Sequence, residues 1–279
     1  MQRSHEDSFG VQPPSLDLVK KTLKESSILQ RAVSRFKDLY EESSVDARFF
    51  LKGDGSVTSD FEATVETEVG SLLFDASPWA HVSGEEGFSL TARAADSPYR
   101  WLIDPIDGSL SFRNGGDSFS FVITLVEDDR PVAGACYFPK LNREYIAVAG
   151  EGLLCNGRRL HLGEQLSERS LMVATSDDYT FEMVNRRKIL EVARSSGAIV
   201  RTCTDMYGHS QVAHGVFGIK LDAACARWDR LAATLMIQEG GGRVVFVPVD
   251  RPTEDLEGSL IVYAPPFESI VSEFVKCVA

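Results

Sequence analysis

The stretch WLIDPIDGSLSF, Trp101 to Phe112, places two aspartates three residues apart and follows them with glycine and serine. Trp101, Leu102 and Ile103 form an apolar run of the kind found in a buried strand, and a proline separates Asp104 from Ile106. Two carboxylates at a strand exit repel one another unless a cation or a proton intervenes. The Gly108-Ser109 pair could open a helix whose first amides bind phosphate oxygens. The rest of the chain must supply the remaining ligands of any cation held there.

With 279 residues the chain is long enough for one large domain or two packed lobes. Hydrophobic residues make up 43% and charged residues 25%, as in a well-packed soluble protein. A formal net charge of −12 argues against nonspecific binding to nucleic acid or to an anionic membrane. The five cysteines (Cys136, Cys155, Cys203, Cys225 and Cys277) are scattered and include no C-x-x-C pair. Neither a disulfide framework nor a zinc knuckle is expected, and a reducing cytoplasm fits best. The opening MQRSHEDSFGVQPPS is polar and lacks a signal core, and no apolar run reaches the ~18 residues of a membrane span.

From Ser15 to about Glu42, Leu16, Val19, Leu23, Ile28, Leu29, Val33, Phe36 and Leu39 recur at near-helical spacing, and Ser15 is placed to cap the start. RFFLKGDGSVTSD predicts a short strand and a turn, and a second helix follows from about Asp60. A short strand and turn are expected at PWAHVSGEEG, then a loop through Ser97. The segments YRWLIDP, SFSFVITLVED, RPVAGACYFP and REYIAVAG are rich in β-branched and aromatic residues. Their separators suit hairpins, so an antiparallel meander is predicted. Beyond it, helices over 181–196, 207–214, 228–240 and 266–277 alternate with strands at LMVATS, AIVRTC, FGIKLDAA and GRVVFV. The fold class is α+β with two sheets.

Five segments bring acids or hydroxyls to turns at strand or helix ends: GDGSVTSD, GEEG, DPIDGS, KLDAA and RWDRLAA. Hard divalent ions such as Mg²⁺ prefer such oxygen ligands. Two ions sharing a bridging carboxylate can activate water and stabilise the leaving oxygen in phosphoryl transfer. Competing schemes fail on spacing. No D-x-D aspartate nucleophile, EF-hand loop, H-E-x-x-H, G-x-S-x-G or Walker A loop occurs. His209 and His214 are five residues apart, off a common helical stripe, and the other histidines are isolated.

Taken together, GEE at 84–86, DPIDGS at 104–109, WDRLAATLMIQEGGG at 228–242 and AGEGLLCNGRRL at 149–160 resemble the inositol monophosphatase family. These are the Mg²⁺-dependent, lithium-sensitive phosphatases related to fructose-1,6-bisphosphatase. The resemblance implies a sugar-phosphatase fold, a layered α/β/α/β/α sandwich with the meander sheet in the first lobe. It divides the chain into a tail (1–14), a metal-binding lobe (15–167) and a substrate-pocket lobe (168–279). Two to three Mg²⁺ ions are implied. Glu85, Asp104 and the carbonyl of Ile106 would hold the first, Asp104 would bridge to a second held by Asp107 and Asp229, and a third would lie near Glu85, with Lys52 and Glu86 beside it. The amides of Gly108 and Ser109 would bind phosphate, the Ser109 hydroxyl would orient a water, and Asp60 would accept from that hydroxyl. Glu85 would also take part in catalysis.

Departures from the family pattern bear on these roles. DGSVTSD is about two residues shorter than the usual D-x-S-x-V-T-x-A-D, which affects Lys52 and Asp60. Asp222 stands where a glutamate usually meets the substrate's hydroxyls. Asp205 and Tyr207 resemble the D-x-Y of the histidinol-phosphate phosphatase branch, although they could equally cap and pack a helix. The expected activity is hydrolysis of a small phosphate monoester, inositol monophosphate first, with histidinol phosphate, a sugar bisphosphate such as fructose 1,6-bisphosphate and a nucleotide 3′-phosphate such as 3′-phosphoadenosine as alternatives. A silent relative that only binds a phosphorylated ligand should lack a metal acid, and none is missing here. A homodimer is implied by the family; neither nucleic acid nor membrane is an expected partner.

Overall fold

A computed structural model describes residues 12–43, 47–51, 57–94, 96–162, 171–175, 186–253 and 256–278. Lys52, residues 1–11 of the expected tail and the expected boundary between residues 167 and 168 lie outside them. Two helices, α1 (Leu16–Ser26) and α2 (Ile28–Ser43), replace the single helix expected at the start. The break is Ser27, which adopts a left-handed conformation (φ 48°) that ends α1 with no glycine or proline to announce it. The Ser15 hydroxyl caps α1 by accepting from the Leu18 amide.

A small hairpin, β1 (Phe49–Leu51) with β2 (Val57–Ser59), leads into α3 (Asp60–Ala76). The main sheet then forms from β3 (His81–Gly84), β4 (Ser89–Leu90), β5 (Tyr99–Asp107), β6 (Ser120–Glu127), β7 (Arg130–Phe138), β8 (Arg143–Val148), β9 (Gly152–Cys155) and β10 (Arg158–Leu160). Its order is β10-β9-β8-β7-β6-β5-β3-β4, antiparallel throughout except for β3 beside β5. The meander is thus present, extended by the β9–β10 hairpin and by β4, a two-residue strand inside the expected loop. The short helix α4 (Ser109–Arg113) follows β5 directly.

The second sheet has the order β12-β11-β13-β15-β14, with strands β11 (Met172–Thr175), β12 (Ile199–Thr202), β13 (Ile219–Cys225), β14 (Arg243–Thr253) and β15 (Leu256–Tyr263). Sequence periodicity did not single out β15. The helices of this half are α5 (Arg186–Ser195), α6 (Asp205–Ala213), α7 (Arg227–Glu239) and α8 (Glu268–Val278).

Three apolar clusters define the layers. The first joins α1, α2 and α3 to one face of the main sheet, through Phe36, Phe61, Val65, Trp101 and Ile103. The second fills the space between the sheets, where Met206 of α6 and Leu235 and Met236 of α7 meet Val122 and Cys136 on one side and Leu260 and Val262 on the other. The third seals the far face of the second sheet with α5 and α8, through Ile189, Ile219, Ile261 and Phe274. The result is the expected α/β/α/β/α sandwich. Each large core side chain buried this way contributes roughly 1.5–3 kcal/mol through removal of apolar surface from water. The helix layer between the sheets, α6 and α7, also borders the acids discussed next.

Candidate active site and metal centre

Successive side chains of a strand point to opposite faces, so acids three residues apart should diverge. In β5 they do not. Asp104 pairs with Val122 and Asp107 with Ser120, so three steps on β5 oppose two on β6. This bulge inserts one residue and resets the alternation. Trp101, Ile103 and, past the bulge, Ile106 face the outer helices, while Asp104 and Asp107 both turn toward α7.

Asp229, in the first turn of α7, completes the group. Asp104, Asp107 and Asp229 each offer an oxygen, all within 4.8 Å of one another. Asp104 and Asp107 are buried, 2% and 6% exposed. Burial first, then neighbouring carboxylates, pushes all three well above the usual carboxylate range. The Glu85 charge is among the causes for both Asp104 and Asp229, which places it beside them. Asp104 Oδ1 is buried with no hydrogen-bond partner among the described residues. A buried oxygen without a donor, inside a ring of carboxylates, is what a hard divalent cation requires. The donor set fits Mg²⁺.

Around this ring the other carboxylates have definite partners. Asp107 Oδ2 accepts from Ser120 Oγ at 2.9 Å, and the Met206 amide approaches both Asp107 oxygens, at 3.0 and 3.3 Å. The turn carrying Glu85 and Glu86 is held from below by Glu66 of α3. Its carboxylate accepts from the amides of Glu86 (2.6 Å) and Phe88 (3.1 Å). Gly84 is required there, because a Cβ would stand 2.2 Å from the Glu66 carboxyl carbon.

Gly108 adopts φ 86°, ψ 45° and turns the chain from β5 into α4. A side chain is excluded there as well, since a Cβ would lie 3.0 Å from Asp205 Oδ2 and from the Ser118 carbonyl. Asp205 opens α6 at φ 56° and accepts from Thr204 Oγ1 at 2.8 Å, which brings this sequence-predicted residue against the Gly108 turn. The first-turn amides of α4 have no intrahelical acceptor.

Ser109 Oγ lies 2.9 Å from Glu62 Oε1 and 3.0 Å from the Ile106 carbonyl. Asp60, the expected partner of that hydroxyl, is elsewhere. Its carboxylate accepts from the Arg48 amide (2.9 Å) and Arg48 Nε (2.8 Å), and these hydrogen bonds hold it below its ordinary pKa. The reason is helix phase. Ser59 caps α3 and receives nothing from Asp60; instead Ser59 Oγ donates to Glu62 Oε2 at 2.6 Å. Glu62 is 1% exposed, and burial, only partly offset by its hydroxyl donors, lifts its pKa to about 7. Glu62 and Glu66 are missing from the sequence-predicted set. Their signal is a pair of acids four apart on α3, bordering the stripe Phe61, Val65, Val69.

Asp222, the residue expected at the substrate's hydroxyls, has partners within the protein. It is buried, ion-paired with Lys220, and its Oδ2 lies 3.0 Å from His209 Nε2. Burial alone would raise its pKa; Lys220 and His209 hold it at about 2.

The model of the inositol monophosphatase family matches residues 19–276. The chain belongs to this family. Inositol monophosphatase relatives include an Aquifex aeolicus fructose-1,6-bisphosphatase/inositol-1-monophosphatase, 28% identical over 72% of this chain and 75% of its own length. A histidinol-phosphatase of Chlorobaculum parvum is 31% identical over 69% of this chain and 73% of its own. Among solved structures, an IMPase/NADP phosphatase complexed with Mg²⁺ and phosphate has a TM-score of 0.72 at 16% identity, covering 91% of this chain and 95% of that one. As an inositol monophosphatase family member the chain is a phosphoric monoester hydrolase.

Proposed function

We propose that this site hydrolyses a small phosphate monoester with the aid of two to three Mg²⁺ ions, inositol monophosphate being the first substrate to test. The observation that carries the reading is the Asp104–Asp107–Asp229 ring with its unpartnered Asp104 oxygen. In this reading Glu85, Asp104 and the Ile106 carbonyl would hold one ion, Asp107 and Asp229 would join Asp104 in holding a second, and a third would lie near Glu85 with Glu86 beside it. Mg²⁺ bound there supplies Lewis acidity and neutralises phosphate charge.

The protein's own groups do the rest. The Gly108 and Ser109 amides receive the phosphate oxygens. Ser109 Oγ orients the attacking water and passes its proton toward Glu62 Oε1, 2.9 Å away. A carboxyl with a pKa near 7 is well matched to that task. No protein nucleophile is needed, since catalysis rests on positioning and electrostatics.

Histidinol phosphate is the second substrate to test, because Asp205 places an acid at the Gly108 turn where a cationic alcohol would be attracted. Initial rates on inositol 1-phosphate, histidinol phosphate, fructose 1,6-bisphosphate and a nucleotide 3′-phosphate, with Mg²⁺ and with a chelator, decide the matter. Mg²⁺-dependent turnover of one of them is expected; equal rates in the chelator would sink the proposal. A homodimer belongs to the same reading and is checked by light scattering.

A further inference from the structure

Lys220 is 0% exposed, in the centre of β13, facing the helix layer together with Asp222 two residues on. A lysine so placed has a large desolvation cost and stays charged only with a close anionic partner. Here it has one: Lys220 Nζ donates to Asp222 Oδ1. Asp222 Oδ2 in turn meets His209 Nε2 at 3.0 Å. His209 is 2% exposed and sits on α6, and its Nδ1 has no hydrogen-bond partner among the described residues. Among the described contacts the ring meets the Asp222 carboxylate at ion-pair distance. Directly before His209, Gly208 leaves room for the lysine stem; a Cβ there would stand 2.5 Å from Lys220 Cδ and Cε. The lysine thus lies flat against α6 on the side where His209 reaches down to β13.

One turn upstream on α6 is the amide of Met206, which holds both oxygens of Asp107. Its neighbour Asp205 sits against Gly108. The rotation and depth of α6, together with Ser120 Oγ on β6, therefore set where the Asp107 carboxylate points. Elsewhere α6 packs through Met206, Tyr207, Val212 and Ala213, and at its far end the C-cap residue His214 lies 2.9 Å from the Tyr145 hydroxyl.

We propose that Lys220, Asp222 and His209 form a buried strut that locks α6 onto β13 and so orients Asp107 for cation binding. These are positioning residues, and the inference rests on the reading of the acid ring as a Mg²⁺ site. It also accounts for the location of Asp222, whose carboxylate serves the strut and not the substrate.

The test is Mg²⁺ affinity, measured by isothermal titration calorimetry on the full chain. His209→Leu removes the imidazole beside Asp222 and is expected to weaken Mg²⁺ binding by about 10-fold. His209→Gln keeps an N–H donor and is expected to bind within about threefold of the wild type. Wild-type affinity in His209→Leu, with only its melting temperature lowered, would overturn the strut, as would equal weakness in His209→Gln. Should His209→Leu not fold, the charge-balanced pair Lys220→Met with Asp222→Leu is titrated instead, with the same weakening expected and wild-type affinity overturning the proposal. A wild type that binds no Mg²⁺ at all overturns the acid-ring reading itself, a result distinct from either variant outcome.

Discussion

Glu62 Oε1 stands 2.9 Å from the Ser109 hydroxyl, and the same carboxylate receives the Ser59 hydroxyl at 2.6 Å. Glu62→Gln should lower kcat by about 100-fold or more, the usual worth of a positioned general base. Asp60→Asn, which alters only the contact with Arg48, should leave kcat within about threefold. Steady-state rates at saturating Mg²⁺ with a generic phosphate ester separate the two; comparable loss in Asp60→Asn would return the role to Asp60.

Asp104, Asp107 and Asp229 crowd together in the metal-free protein, where burial first and neighbouring carboxylates second raise their pKa values. Asp107→Asn removes one carboxyl from the group. The metal-free variant should melt no lower than the wild type, yet turnover should vanish. Wild-type protein should gain about 2.7 kcal/mol when Mg²⁺ reaches 100 times its Kd. Differential scanning calorimetry with and without EDTA reads both effects, and a variant still stabilised by Mg²⁺ would contradict the ring's assignment.

Burial lifts Glu62 and Glu66 from 4.5 to about 7. A carboxyl with a raised folded pKa binds more protons folded than unfolded. Its contribution is therefore most favourable below about pH 4.5 and is lost as pH rises through about 7. In EDTA, stability should fall over that interval, and Glu66→Gln should flatten the slope. Urea unfolding at a series of pH values checks the sign; a slope unchanged in Glu66→Gln would contradict it.

Arg230 of α7 bonds Glu257 at 2.6 Å and Asp129 at 3.0 Å, and lies 4.6 Å over the Phe246 ring. It ties the helix that carries Asp229 to a hairpin of each sheet. Arg230→Ala should cost about 1–2 kcal/mol in urea unfolding, since it strands the partly buried Glu257 carboxylate, while the exposed Asp129 keeps Arg227. A loss below about 0.5 kcal/mol would mark the pairs as solvated surface contacts.

Gly84→Ala should act at a distance. The new methyl must displace the Glu66 carboxylate from the amides of Glu86 and Phe88. Weaker Mg²⁺ binding together with a loss of about 2 kcal/mol is expected, measured by calorimetry and by urea titration.

Much of this arrangement was legible in the sequence, for physical reasons that differ from residue to residue. Asp104, Asp107 and Asp229 stand out because acids beside apolar runs are costly without compensation. The meander was readable because its strands alternate between hairpin turns. Glu62 was hidden because Asp60 and Glu62 both lie in the first turn of α3, and only the capping phase set by Ser59 decides which turns inward. Asp222 fits an exposed or a buried role equally well until Lys220 is seen beside it on the same strand face. Ser27 breaks the first helix without a glycine or proline, and local propensity gives no sign of it. In β15, apolar residues run together because both faces are covered, so no alternation marks the strand.

The ring of acids draws on both halves of the chain. Asp104 and Asp107 end a strand of the first sheet, whereas Asp229 arrives on a helix that follows β13 of the second. The Glu85 turn, after β3, belongs to that first sheet as well. The ring of three aspartates is complete only when α7 lies beside β5. The integrity of the ring therefore depends on both halves of the chain being packed together.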